Sequence, residues 1–148
     1  MTRLRIPALR FGRRRCTPQA RVLALLLEAA PRPWDLTNFV QSLSALLGRQ
    51  IVVRTVDMPC EMTGVWMSTA STEYIFVTRN ADCTRKVTIV AHEIAHLLLG
   101  HRRPTDHASR HRNLVFATQS ERDAESVATA FVCQLDLEGR AAGVGATG

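Results

Sequence analysis

A chain of 148 residues, 46% hydrophobic and 22% charged, is one domain's worth of sequence with enough apolar mass to bury a core. No apolar run approaches the roughly 18 residues that a transmembrane helix needs. The net charge of +6 is unevenly placed: residues 1–32 carry eight arginines against the single acid Glu28, net +7, and the remainder carries eleven basic and twelve acidic residues, net −1.

Residues 1–16 read as a basic, irregular, flexible arm. Such an arm suits nucleic acid or an acidic partner. Lys86 is the only lysine in the chain, so an arginine-rich codon usage explains the arm more simply. Arg13-Arg14-Arg15 ahead of Val22 to Leu27 has the outline of a signal peptide. That apolar run is short, Glu28 breaks it and Pro31 follows where a cleavage site wants small residues, so secretion is not expected. Cys16, Cys60, Cys83 and Cys133 form no C-x-x-C pair, which argues against a zinc ribbon or a disulfide framework and for a reduced, cytoplasmic setting.

Thr17-Pro18 is a helix start, and the helix runs over 17–30 until Pro31 and Pro33 stop it. Asp35 caps a second helix over 36–47, with Leu36, Phe39, Val40, Leu43, Leu46 and Leu47 at helical spacing and Gly48 closing it. Residues 51–56, 64–68 and 73–78 read as strands of a small antiparallel sheet. Thr84 can cap a long helix to Leu99, closed by Gly100. Residues 101–119 show no periodicity and read as a loop. Ser120 with Asp123 resembles a capping box opening a last helix to Leu137. From Gly139 the chain is mostly glycine and alanine, an expected disordered tail over 139–148. The domain expected is 17–138.

The chemistry concentrates in His92-Glu93-Ile94-Ala95-His96, an H-E-x-x-H motif. Residues four apart lie on one helix face, so both imidazoles can reach one ion, and neutral imidazole suits zinc. Glu93 then stands beside the metal rather than on it, placed as general base. Metal binding lowers the pKa of a coordinated water steeply, towards about 7. The competing reading is a pair of helix histidines with no ligand, but a bare H-E-H cluster among Ile89, Val90, Ile94, Leu97 and Leu98 would be costly to bury without a partner.

A catalytic zinc needs a third protein ligand. The H-E-x-x-H-x-x-G-x-x-H spacing fails, because Leu99 and Arg102 occupy the required positions. His101 falls off the ligand face, at a helix end where a histidine suits the dipole. Glu121 and Glu125 share a face of the last helix. One can bind the metal and the other can accept a ligand histidine's second N–H. Spacing alone leaves the order open, and an acidic first turn also complements a helix dipole with no metal present. His107, His111 and Tyr74 are candidates for substrate or transition-state contacts, with Tyr74 as readily an aromatic at the edge of the core.

These residues resemble the ImmA/IrrE family of metallopeptidase domains. The resemblance rests on His92 to His101 (HEIAHLLLGH) and on Glu121 to Ala128 (ERDAESVA). Asp35, Gly48-Arg49, Gly64-Val65-Trp66 and Tyr74-Ile75-Phe76 are similar to its small actinobacterial branch. It covers about residues 34–137. The family's zinc-binding glutamate lies four residues before a position usually held by Asn or Asp. That position is Glu125 here, which implies Glu121 as the ligand. Where the family continues with F-A and ends L-L-x-P, this chain has Val127-Ala128 and Gln134-Leu135-Asp136-Leu137. The metal residues are untouched by that departure, whereas the substrate cleft is not.

The expectation is an α+β, zincin-like fold and a zinc-dependent endopeptidase. By resemblance the substrate is a helix-turn-helix repressor, with DNA recognition left to that partner, since the chain has no room for such a domain of its own. Two rivals stand beside it. One is a non-catalytic zinc-binding module of a regulatory or toxin–antitoxin system, in which Glu93 is dispensable. The other is a nucleic-acid binder acting through the arm, which would bind with steep salt dependence.

Overall fold

The computed structural model describes residues 16–101 and 114–144, in the order α1 (Pro18–Ala29), α2 (Leu36–Leu47), β1 (Gln50–Val56), β2 (Gly64–Ser68), β3 (Thr72–Thr78), α3 (Cys83–Leu99) and α4 (Leu114–Val144). The architecture is α+β.

Capping chemistry sets the helix ends. The Thr17 hydroxyl accepts from the Ala20 N–H at 3.2 Å, and the Asp35 carboxylate accepts from the Asn38 N–H at 2.7 Å. Gly48 closes α2 in the left-handed region at φ 61°, which glycine enters without a Cβ penalty. The cap of α3 is Asp82, accepting from the Arg85 N–H at 2.8 Å, rather than Thr84. Both are good capping residues, and the carboxylate two positions earlier takes the role.

The helix α4 departs from expectation at both ends. It begins at Leu114, six residues before Ser120, and continues through Gly139 to Val144. The expected tail over 139–148 is therefore helical for its first six residues. Glu138, Arg140, Ala141 and Ala142 are strong helix formers, and one glycine among them costs only about 1 kcal/mol.

The sheet is mixed, not wholly antiparallel, with strand order β1-β3-β2. The short turn after Ser68 makes β2 and β3 an antiparallel pair, Ser68 opposite Glu73 and Gly64 opposite Val77. Strand β1 lies on the other edge of β3 and runs parallel to it, Ile51 beside Glu73 and Val53 beside Ile75. Central β3 alternates by face: Ile75 and Val77 enter the core, while Tyr74 and Phe76 stack on each other, centroids 6.1 Å apart, on the opposite side.

The core joins α1, α2, α3, α4 and the inner face of the sheet through Leu25, Leu26, Phe39, Leu43, Ile75, Val90, Ile94 and Phe131. Trp34, Phe39 and Phe131 form an aromatic cluster with centroids 5.2 to 5.8 Å apart. One carboxylate is buried here: Glu73 is 2% exposed and is held by the Arg49 guanidinium, by the Trp66 indole N–H at 2.8 Å and by the Ser68 hydroxyl at 3.0 Å. Arg49 also donates to the Thr69 and Ala70 carbonyls. The Arg49–Glu73 pair therefore ties the start of β1 to the β2–β3 turn, with its buried charge fully partnered. No described helix is long and apolar enough to cross a membrane.

Candidate metal centre

Helix α3 packs on α4, and their contact brings three side chains to one point. The His92 and His96 Nε2 atoms stand 3.0 Å apart. Glu121 reaches both, its Oε2 at 3.0 Å from His92 Nε2 and its Oε1 at 3.2 Å from His96 Nε2. Glu125, one turn along α4, meets the other side of the His92 ring, Oε2 to Nδ1 at 3.1 Å. His96 is 9% exposed at the floor of this arrangement, and the carboxylates of Glu121 and Glu125 lie at its open rim.

These atoms fit a cation. A tetrahedral site with metal–ligand bonds of about 2.0–2.1 Å has ligand–ligand edges of about 3.3–3.4 Å. The observed edges of 3.0 to 3.2 Å are close to that figure. With Glu125 accepting the His92 Nδ1–H, the His92 Nε2 is a bare lone pair facing a second imidazole nitrogen and a carboxylate oxygen. Three acceptors at that separation repel. One proton can relieve one pair, whereas a divalent cation relieves all three. Burial holds the His96 pKa below its ordinary value, against the raising effect of Glu121 and with further lowering from His92 and His101. The ring is thus kept neutral, the form that binds metal. His92, His96 and Glu121 are the grouping among the described residues that could hold one ion.

Glu93 is one residue past His92 on α3 and lies against strand β2 at Gly64. A Cβ built on Gly64 would stand 2.4 Å from Ile89 Cγ2 and 3.1 Å from Glu93 Oε1. The glycine thus lets the strand backbone lie directly beside the carboxylate. Ile89 is β-branched and stiff in a helix, so it cannot swing clear. We expect Gly64→Ala to force β2 away from α3 and destabilise the fold by about 1–3 kcal/mol, as measured by urea denaturation. An open cleft of about 690 Å³ runs beside His92, along the α4 face that carries Glu121, Arg122, Glu125, Ser126 and Thr129.

The remaining sequence candidates do not join this group. Tyr74 lies on the outer face of the sheet, stacked on Phe76, while the Glu93 side is the face of Ile75, Val77 and Gly64. Strand alternation puts it there. His107 and His111 lie outside the described residues, as does the basic arm apart from Cys16. His101 was expected to be a helix-end histidine apart from the site, yet its Nδ1 lies 2.9 Å from His96 Nδ1. The signal for that contact was available in Gly100. A left-handed residue closing a helix folds the next residue back over the last turn.

The H-E-x-x-H helix, the acidic helix closing on it and the small sheet along its flank define a zincin-like domain of the metallopeptidase class. Residues 49–136, from the start of β1 to the far part of α4, match the peptidase family described as the IrrE N-terminal-like domain, and the chain belongs to that family. No curated protein and no solved structure matches the chain.

Proposed function

We propose that the protein is a zinc-dependent endopeptidase, with His92, His96 and Glu121 holding the metal and Glu93 as general base. The observation that carries this reading is the convergence of the two Nε2 atoms and the Glu121 carboxylate within 3.2 Å of one another, in a chain of a peptidase family. When bound, zinc supplies Lewis acidity to the scissile carbonyl and to an attacking water. Glu93 takes the proton from that water and returns it to the leaving amine. Glu125 holds the His92 ring through Nδ1, which fixes the tautomer that leaves Nε2 free. The open cleft along α4 lies beside His92, and its Arg122, Ser126 and Thr129 offer polar contacts to a peptide backbone.

The substrate class we favour is a helix-turn-helix repressor, the kind of target the family resemblance implies. The test is incubation of zinc-loaded protein with helix-turn-helix repressors from the same genome, beginning with any encoded beside its gene. We expect discrete cleavage products that disappear when a chelator is added and return with zinc. A repressor left intact, by protein that demonstrably holds zinc, would favour the non-catalytic module instead.

A further inference from the structure

We infer that His101 is a positioning residue for the metal centre: it accepts the Nδ1–H of His96 and so fixes the tautomer that turns the His96 Nε2 lone pair onto the ion. The inference rests on the metal-site reading above and extends it to a residue outside the H-E-x-x-H motif.

The geometry begins in the backbone. Gly100 ends α3 at φ 71°, a conformation that L side chains rarely adopt. The turn brings the His101 N–H onto the His96 carbonyl at 3.0 Å and the Gly100 N–H onto the Leu97 carbonyl at 3.2 Å. This is the paired closure of a Schellman motif, in which the residue after the glycine commonly makes an apolar contact back onto the last turn. Here a polar contact takes its place. The two rings meet nearly edge to face, centroids 5.0 Å apart and planes at 67°, with the Nδ1 atoms 2.9 Å apart.

Two Nδ1 atoms at that distance share one proton, so one ring donates and the other accepts. Ligation through Nε2 requires that His96 carry its proton on Nδ1. His96 is then the donor, and His101 accepts with its own proton on Nε2. His92 is served in the same way by Glu125. Each imidazole of the site therefore has a dedicated acceptor behind it: a carboxylate on α4 for His92, and a neutral imidazole from the α3 cap for His96. His101 does not read as a ligand itself, because its close nitrogen faces the rear of His96 rather than the Nε2 atoms and Glu121.

The test compares His101→Leu with His101→Asn in the full chain. Leucine keeps the bulk and the backbone closure but has no acceptor. Asparagine places a carbonyl oxygen near the former Nδ1. Zinc affinity is read by competition with a chromophoric chelator. We expect about a 10–100-fold loss for His101→Leu, the range seen for partners behind metal ligands, and recovery to within about threefold for His101→Asn. Ring ¹⁵N spectra of zinc-loaded wild type should show His96 protonated at Nδ1. Unchanged affinity in a folded His101→Leu, or equal losses in both variants, would overturn the positioning role. A loss in His101→Leu as large as that from removing Glu121 would overturn it in favour of direct ligation. Wild-type protein that binds no zinc would overturn the metal-site reading, and this inference with it.

Discussion

Glu93→Gln is expected to retain full metal content and lose about 10²–10⁴-fold in kcat on a cleavable protein substrate. The figure is the usual contribution of a positioned general base, equivalent to about 3–5 kcal/mol of barrier. Metal content should hold, because Glu93 is not among the three side chains whose donor atoms converge. Fold stability should hold as well, since glutamine is isosteric and leaves the contact with Gly64 in place. The measurement pairs metal analysis by atomic emission with steady-state kinetics on the same sample. Wild-type turnover with metal present would remove Glu93 from the mechanism. Loss of metal together with activity would show that the residue supports the site instead. Glu93→Asp keeps the charge but draws the carboxylate back towards α3, so it should fall between the two. A ranking of wild type, aspartate and glutamine in that order would tie the effect to proton transfer rather than to charge alone.

What the sequence could and could not reveal follows from the range of the interactions. Helices α1 and α2 were legible to within a residue because Thr17, Asp35 and Gly48 act on the backbone within one turn. H-E-x-x-H was legible because its geometry is contained in a single helix. The pairing of β1 with β3 was not, because two β-branched runs carry no record of which edge each takes. Nor was the buried Arg49–Glu73 pair, whose partners are 24 residues apart, one just before β1 and the other on β3. Gly64 gave no local signal either: its need for small size comes from Ile89 and Glu93 across the helix–sheet contact. His101 is the intermediate case. The cap at Gly100 was read correctly, and its consequence, a side chain folded back onto the ligand turn, required following the backbone one residue further.

Removing the two acids of α4 should separate their roles, and this is the sharpest prediction about the metal itself. Glu121 faces the Nε2 atoms of both histidines at 3.0 and 3.2 Å, whereas Glu125 touches only the rear of His92 at 3.1 Å. If a site of this kind binds zinc with on the order of 10 kcal/mol shared over its ligands, each ligand carries about 3 kcal/mol. Glu121→Ala should therefore weaken binding by a few hundredfold or more. Glu125→Ala removes only the acceptor behind His92 and should cost about 10–100-fold. Both side chains are largely exposed at their ends, at 62% each, so neither truncation opens a cavity and fold stability without metal should change little. Isothermal titration with zinc, in buffer free of competing chelators, reads both values. The reverse order, with Glu125→Ala the more damaging, would exchange the two residues' roles. That exchange would require the His92 ring to turn over and present Nδ1 to the metal, leaving Nε2 to find another acceptor. Four residues of helical spacing make either arrangement sterically conceivable; what favours Glu121 is that its two oxygens span both histidines, and a residue one turn further along α4 meets just one.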